Sequence, residues 1–184
     1  ASSLQEGGPM MGAVHAYLRA HVPEWAVLRP TWFMQNFSEL QHLATIRDES
    51  RIYSATGDGR VPFVDAGDIA AVASQALTQE VPLNRDVIIT GPEALSYGAV
   101  AAILSSQTGR AITHERLTPA ALADRFAAAG MPEAYAKMLA AMDDAIASGS
   151  EDRTTTEVEQ LTGRPPLSFS TFATMAGSVW QRPG

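Results

Sequence analysis

Two short apolar runs, each closed by a proline, constrain the fold more than any other feature of the chain. Residues 26–28 (Ala-Val-Leu) form the first run, and residues 87–89 (Val-Ile-Ile) form the second. Neither run alternates with polar residues, which is typical of strands buried on both faces of a parallel sheet. Proline cannot donate a hydrogen bond to a neighbouring strand, so Pro30 and Pro92 are expected to close the two strands.

Helical patterns separate and follow these strands. Residues 65–77 carry the clearest one, with apolar side chains at the spacing of one helical face: Ile69, Val72, Ala73, Ala76 and Leu77. Asp65 and Asp68 stand at its head, and we interpret them as an N-cap and a first-turn acid rather than as paired catalytic carboxylates. The alternation of short strands with helices predicts parallel βαβ units in the first half, and helices dominate the second half.

Capping signals predict the bounds of several further helices. They are Ser96 with Gly109, Thr118 with Pro119, and a capping box at Thr156 and Glu159. Further strands are expected at residues 51–55, 61–64 and 111–115. Residues 31–47 are expected to be a loop followed by a helix, and residues 168–180 a last helix.

The composition excludes several classes of protein. The net charge of −7, with 13 scattered basic residues, argues against nucleic-acid binding, which needs clustered Lys and Arg. No apolar run is long enough to span a bilayer, so no membrane association is expected. The absence of Cys removes disulfide scaffolds and thiolate metal sites, and it is compatible with the cytoplasmic location that we expect.

Signals for a metal or a nucleophile are weak. The four histidines are dispersed without an i, i+4 pair, so we predict no metal site: His15, His21, His42 and His114. Ser2 and Ser3 lack a convincing His–Asp partner, and the chain has no G-x-S-x-G elbow. The one G-x-G string, at residues 57–59, lies between strands and is predicted to be a turn.

Five segments, taken in order, resemble the NmrA-like branch of the atypical short-chain dehydrogenases/reductases, especially bacterial relatives of the ergot-alkaloid reductases. They are VHAYLR (14–19), WAVLRPTWFMQNF (25–37), GDGRVPFVD (57–65) with DIA (68–70), TGPEALSY (90–97) and LTGRPP (161–166). The resemblance implies an α/β fold: the C-terminal part of a Rossmann-like parallel sheet followed by a smaller, mainly helical substrate-side lobe. Residues 1–95 would carry the sheet with interleaved lobe segments, and residues 96–184 the lobe.

The resemblance also implies a site for a nicotinamide cofactor, NAD or NADP, beside the loop after the first strand. The expected cofactor-binding residues are Pro30, Thr31, Trp32 and Phe33. Ligands of doubly wound sheets lie outside the carboxyl ends of strands, where this loop stands. The expected walls of the substrate pocket are Met11, Asn36, Phe37 and Tyr135. Core packing is the alternative for the aromatic residues, and fixing of the loop backbone is the alternative for Asn36.

Two motifs of this family are not found. The Gly-rich turn that holds the pyrophosphate would precede Ala1, so poor binding of NAD(P) by the chain alone is expected. The Tyr and Lys of the family's Tyr-x-x-x-Lys pair fall on Gly7 and Met11, which removes phenol–ammonium chemistry from these positions. Reduction of an already electrophilic substrate, such as an iminium or an activated alkene, is compatible with this change.

The resemblance therefore implies a fragment of an NAD(P)-dependent oxidoreductase acting on a small apolar or aromatic substrate. A non-catalytic, NAD(P)-sensing regulatory protein is the alternative, and an inactive remnant is a third possibility. An apolar strand without neighbours would expose an unpaired edge. We therefore expect a homo-oligomer, or association with the missing N-terminal half.

Overall fold

The computed structural model describes residues 11–181. The strands are β1 (Ala26–Pro30), β2 (Arg51–Ser54), β3 (Arg60–Val61), β4 (Arg85–Ile89), β5 (Leu95–Ser96) and β6 (Thr113–Arg116). The helices are α1 (Gly12–His21), α2 (Ala66–Thr78), α3 (Tyr97–Thr108), α4 (Pro119–Ala128), α5 (Glu133–Ala147), α6 (Glu157–Thr162) and α7 (Phe169–Ala176). The predicted α/β class, with a mainly helical second half, is confirmed.

Parallel strand pairs organise the two parts of the molecule. β1 pairs with β4 in parallel, from Ala26 opposite Arg85 to Pro30 opposite Ile89, and α2 precedes β4 in the chain and contacts β1. β2 pairs in parallel with β6, and β3 pairs antiparallel with β5. Because β2 comes from the first half of the chain and β6 from the second, the two halves interleave. A domain boundary near residue 95 stays a prediction.

Three predicted helix starts carry the expected side-chain caps. Asp65 accepts a hydrogen bond from the Gly67 amide at 2.8 Å at the head of α2. Ser96 accepts one from the Ala99 amide at 3.1 Å, and Thr118 accepts one from the Ala121 amide at 3.2 Å. These bonds satisfy N–H groups that have no acceptor inside the helix, which is why short polar residues stand there.

An aromatic core fills the space between α3, α7 and the loops of the first half. The Phe37 ring meets the Phe63 ring edge-on at 5.1 Å and the Phe169 ring at 5.2 Å between centroids. Trp180 is also fully buried, and its indole Nε1 donates to the Phe37 carbonyl at 2.7 Å. Edge-to-face pairs of this kind stabilise beyond the burial of their area. A second, aliphatic core joins β1 and β4 to α2 and α6.

The helix expected within residues 31–47 is shorter and less regular than predicted: it begins only at Leu43 and continues as a π-helical turn. That segment contains a 3-10 turn at Met34–Asn36 and, later, a π-helical turn at Thr45–Glu49. The Met34 amide donates to the Val64 carbonyl at 2.9 Å, and Phe33 forms a parallel bridge with Val64. This pairing holds Phe33 in an extended conformation (φ −85°, ψ 140°), so helical structure begins only after it, and apolar spacing alone could not reveal this.

The capping box at the start of α6 is wrong. Thr156 makes no cap bond to the backbone, and its hydroxyl accepts instead from Gln160 Nε2 at 2.8 Å. The last helix is shorter than predicted, because α7 gives way to a 3-10 turn at Gly177–Trp180. Gly163, at φ +72°, ends α6 as expected, since this left-handed conformation favours glycine.

β1 is less enclosed than a strand buried on both faces. Within residues 11–181 it pairs with β4 alone, and four of its five residues are only half-buried. Helix α1, which precedes it, exposes apolar side chains, with Tyr17 63% exposed and Val14 46% exposed. No helix in the described range has the length and apolar character needed to cross a membrane.

Candidate functional site

The candidate site lies at the carboxyl ends of β1 and β4, where the chain leaves β1 as a loop of residues 31–34. The Thr31 amide donates to the Ile89 carbonyl at 3.0 Å, which continues the β1–β4 pairing by one residue. The Trp32 carbonyl accepts from the Val64 amide at 3.0 Å, and the Met34 amide binds the Val64 carbonyl. The loop is therefore held on both sides by backbone hydrogen bonds.

The loop presents alternating environments to its side chains. Thr31 is buried, Trp32 is half-buried against the aromatic core, and Phe33 is 37% exposed. Pro30, the last residue of β1, is half-buried. The four expected cofactor-binding residues thus lie together at the end of β1. Two of them, Trp32 and Phe33, form a partly exposed aromatic surface there. The position of the loop is the one that the strand–Pro–aromatic series predicts.

Gly91 allows the chain just after β4 to approach residues 62–63 closely. Its amide donates to the Pro62 carbonyl at 2.9 Å, and a Cβ atom at this position would lie 1.9 Å from the Phe63 carbonyl oxygen. No side chain fits at that separation, so glycine is required for the contact. The close approach holds residues 62–64 beside the strand ends, where Val64 pairs with the loop.

A connecting segment between α5 and α6 crosses the same strand ends, and we call residues 149–155 the strap. The strap's Glu151 is 2% exposed, and its carboxylate accepts a hydrogen bond from Thr31 Oγ1 at 3.3 Å. Thr155, at the other end, donates to the Ile88 carbonyl at 2.6 Å, and its amide donates to Thr90 Oγ1 at 2.9 Å. The strap is thus bonded to the ends of both strands.

Sequence reasoning missed these strap residues because no motif marks them. Glu151 and Thr31 are separated by 120 positions, and Thr155 and Thr90 by 65. The repeated threonines at residues 154–156 were the one visible sign of polar side chains in this segment. Such contacts depend on the tertiary fold and leave no periodic pattern in the sequence.

Gln35 is a second residue that the sequence did not single out. Its Nε2 donates to Asp65 Oδ2 at 2.7 Å, and its Oε1 accepts from the Ala66 amide at 3.1 Å. Gln35 therefore fastens the loop after β1 to the first turn of α2. The Asp65 carboxylate accepts both this hydrogen bond and the cap bond of α2, which agrees with a structural role for it.

Asp68 does more than interact with the helix dipole. It is buried, its Oδ2 accepts from the Leu167 amide at 2.7 Å, and its Oδ1 pairs with Arg164 Nη1 at 2.8 Å. This carboxylate holds the segment that leads into α7. The pair Asp65 and Asp68 is structural in both members, as interpreted from the spacing, although the partners of Asp68 were not foreseen.

The residues expected to wall the substrate pocket lie in different environments. Asn36 is half-buried in the 3-10 turn, and its side-chain amide makes no hydrogen bond with another residue of 11–181. Phe37 has no exposed surface and belongs to the aromatic core, so its ring does not line an open surface. Met11, before α1, and Tyr135, on α5, are exposed. Gly7 lies outside the described residues.

The acid–base groups with the most shifted pKa lie in the aromatic core and on α5 rather than at the strand ends. Burial lowers the pKa of His42 to about 3, with a smaller contribution from His114. Burial raises the pKa of Asp143 to about 6, against the opposing effect of the hydrogen bond from the Ala55 amide. Burial also raises the pKa of the Tyr97 phenol well above its ordinary value.

Neither a metal site nor a histidine acid is found at the strand ends among residues 11–181. No three His, Asp or Glu side chains of that range come together as metal ligands do. The ring of His15 lies 5.9 Å from that of Trp25, which precedes the amino end of β1. His15 is therefore placed at the opposite end of the strand from Thr31.

Solved structures with the same fold are found over most of the chain. An NADPH-dependent quinone oxidoreductase from Escherichia coli superposes with a TM-score of 0.80 at 21% identity, over 89% of this chain and 58% of that one. A triphenylmethane reductase from Citrobacter sp. gives a TM-score of 0.77 at 23% identity, over 89% of this chain and 57% of that one. These likenesses establish the fold.

Curated relatives are much more similar in sequence. The uncharacterized oxidoreductase YesF of Bacillus subtilis is 43% identical over 98% of this chain, and the agroclavine dehydrogenase of Claviceps fusiformis is 44% identical over 98%. The chain covers 63% of the length of each of these relatives. The model of the NmrA-like family matches residues 13–172, which is most of the chain. The resemblance inferred from the five sequence segments is therefore confirmed, and the chain belongs to the NmrA-like family.

Proposed function

We propose that the protein is an NAD(P)H-dependent oxidoreductase that reduces a small apolar or aromatic substrate at the carboxyl ends of β1 and β4. The observation that carries the proposal is the loop of residues 31–34, which is fixed by backbone bonds and turns Phe33 toward solvent. Relatives more than 40% identical, named as an oxidoreductase and as agroclavine dehydrogenases, support it.

The residues at the strand ends fit the nicotinamide end of such a cofactor. A flat ring needs an apolar surface to lie against, and Trp32 and Phe33 supply one. Pro30 fixes the backbone direction where the loop begins. When bound, the reduced nicotinamide would supply a hydride, while the protein holds and desolvates the reacting groups.

The substrate side would be formed by Asn36 with exposed apolar residues. The unbonded amide of Asn36 stands three residues beyond Phe33, at half-buried depth, where it can both donate to and accept from a polar substrate atom. Met11 and Tyr135 are available as outer walls, since both are exposed. Phe37 would contribute from behind, by supporting the loop through the core.

A substrate that is already electrophilic suits this site best. Met11, at the position of the family's Lys, carries a thioether and cannot donate a proton. A carbonyl reductase needs such a donor beside the forming hydroxyl. An iminium, quinone or activated alkene accepts a hydride without one. The solved neighbours include a quinone oxidoreductase, and a curated relative at 38% identity is the NAD(P)H azoreductase of Xenophilus azovorans.

The absence of that donor also favours a second candidate, an NAD(P)-sensing protein without catalysis. NmrA, a negative transcriptional regulator solved with NAD, has a TM-score of 0.65 at 15% identity. Its likeness in sequence is far weaker than that of the named dehydrogenases. We therefore place the sensor second.

A panel of electrophiles distinguishes the two functions. The full-length protein should oxidise NADPH or NADH in the presence of at least one quinone, enone or iminium compound. Trp32→Ala should lower this rate about tenfold or more, since misplacement of reacting groups is costly. Trp25→Ala, at the amino end of the same strand, is the matched control and should change the rate little. Cofactor binding without turnover of any compound would favour the sensor.

A further inference from the structure

The strap, residues 149–155, leads from α5 to α6 and contacts strands or the residues next to them at three places. Glu151 binds Thr31 beyond β1, and Thr155 binds Ile88 and Thr90 at the end of β4. Between them, Asp152 lies 3.9 Å from the guanidinium of Arg60 in β3. The arrangement ties one short connection to β1 and β4, at whose ends the site lies, and brings it near β3.

Glu151 differs from Asp152, the other acidic residue of the strap, in being buried. It is 2% exposed, and Thr31, its hydroxyl donor, is 4% exposed. A carboxylate withdrawn from water to this degree is costly unless hydrogen bonds compensate it, so its place at the strand end is specific. Thr31 is also the first residue of the loop that carries Trp32 and Phe33.

We propose that Glu151 is a positioning residue that sets the loop of residues 31–34 through Thr31, with the strap as its support. This rests on the proposed function, because the loop is taken to hold the nicotinamide end of the cofactor. Glu151 itself is not required to touch cofactor or substrate. Thr155 would keep the strap in register with β4.

The loop itself gives a readout that needs no cofactor. The amides of Thr31 and Met34 are hydrogen-bonded to Ile89 and Val64, so they should exchange slowly with deuterium. In Glu151→Ala, we expect the peptide spanning residues 31–34 to exchange about tenfold faster than in the wild type, since the buried hydrogen bond from Thr31 to Glu151 is lost. Glu159→Ala, an exposed position on α6, is the matched control and should leave this peptide unchanged.

Cofactor affinity tests the positioning role. NADPH titration of the full-length protein, followed by fluorescence, should show about tenfold weaker binding in Glu151→Ala and in Thr31→Val. The loss in the double variant should be smaller than the two single losses combined, because the two substitutions share the Glu151–Thr31 contact. Thr31→Ser and Glu151→Gln keep a hydroxyl and an acceptor oxygen, and they should restore most of the affinity. Thr162→Val, whose hydroxyl binds its own helix, controls for the loss of a threonine hydroxyl.

The outcomes separate the two proposals. Unchanged exchange in Glu151→Ala overturns the positioning role, and so does faster exchange with unchanged NADPH binding. A lowered Tm with normal affinity shows a role in stability alone and also overturns it. If the wild type binds no NADPH, the proposed function fails, and the exchange result still decides whether Glu151 orders the loop. Should Glu151→Ala not fold, Glu151→Gln and Thr31→Val carry the same comparison.

Discussion

Asp143→Asn is expected to stabilise the protein at neutral pH and to leave it nearly unchanged in mild acid. Asp143 is buried on α5, with Oδ2 accepting from the Ala55 amide at 2.8 Å. Burial raises the pKa of its carboxyl from 3.8 to about 6, so the folded state favours the protonated form. An asparagine oxygen can accept from the same amide while carrying no charge.

The magnitude follows from the pKa shift. At about 1.4 kcal/mol per pKa unit, a rise from 3.8 to about 6 corresponds to about 3 kcal/mol. The folded state binds more protons than the unfolded state between these pH values, so this group's contribution to stability is present below pH 3.8. It is lost as pH rises through about 6. The penalty is then constant at higher pH.

Urea unfolding of both forms between pH 4 and pH 8 tests this expectation. The difference in unfolding free energy, variant minus wild type, should grow from near zero at the acid end to about 1–3 kcal/mol above pH 6.5, because the new amide N–H groups offset part of the gain. Asp144→Asn, an exposed neighbour on α5, is the control and should show no such rise. A difference that does not depend on pH would refute the reasoning.

Three further results are expected. Gly91→Ala should destabilise by about 3 kcal/mol or more, because its Cβ would meet the Phe63 carbonyl; Gly98→Ala, on the exposed face of α3, should be neutral or stabilising in the same thermal melts. Arg164→Ala should lower the free energy of unfolding in urea by about 2 kcal/mol, because it removes the cation that pairs with the buried carboxylate of Asp68. Arg164→Lys should recover part of this loss. Light scattering should find the 184-residue chain self-associated, since α1 exposes an apolar face; a monodisperse monomer would contradict this.

Local signals predicted most of the elements, and long-range contacts account for the failures. β1, β4 and α2 follow from apolar runs and helical spacing, and the Asp65 cap follows from residue type. The loop after β1 was misjudged because Val64 takes its backbone hydrogen bonds, a pairing over some thirty positions. The capping box failed because Thr156, at φ −100° and ψ 11°, does not have the extended conformation of an N-cap.

The sequence predicted where the candidate site lies, but not which side chains hold its loop in position. The carboxyl end of β1 is where a doubly wound sheet binds ligands, so the loop with Trp32 could be located from the order of elements. The side chains that fix this loop, Gln35 and Glu151, have partners 30 and 120 positions away. A single sequence carries no record of such pairs. Phe37 was predicted to line the substrate pocket but is fully buried in the aromatic core. An aromatic residue that lies beside a site in the sequence can equally well belong to the core.

The distribution of polar groups bears on the chemistry that the proposed function allows. A proton donor has to come within hydrogen-bond distance of the reacting atom. Tyr97, the most enclosed candidate, is 1% exposed and surrounded by the rings of Phe37 and Phe63. The described strand ends offer instead a hydroxyl, an amide and aromatic surface. Catalysis there would depend on positioning and on exclusion of water, which suffices for a substrate that is electrophilic before it binds.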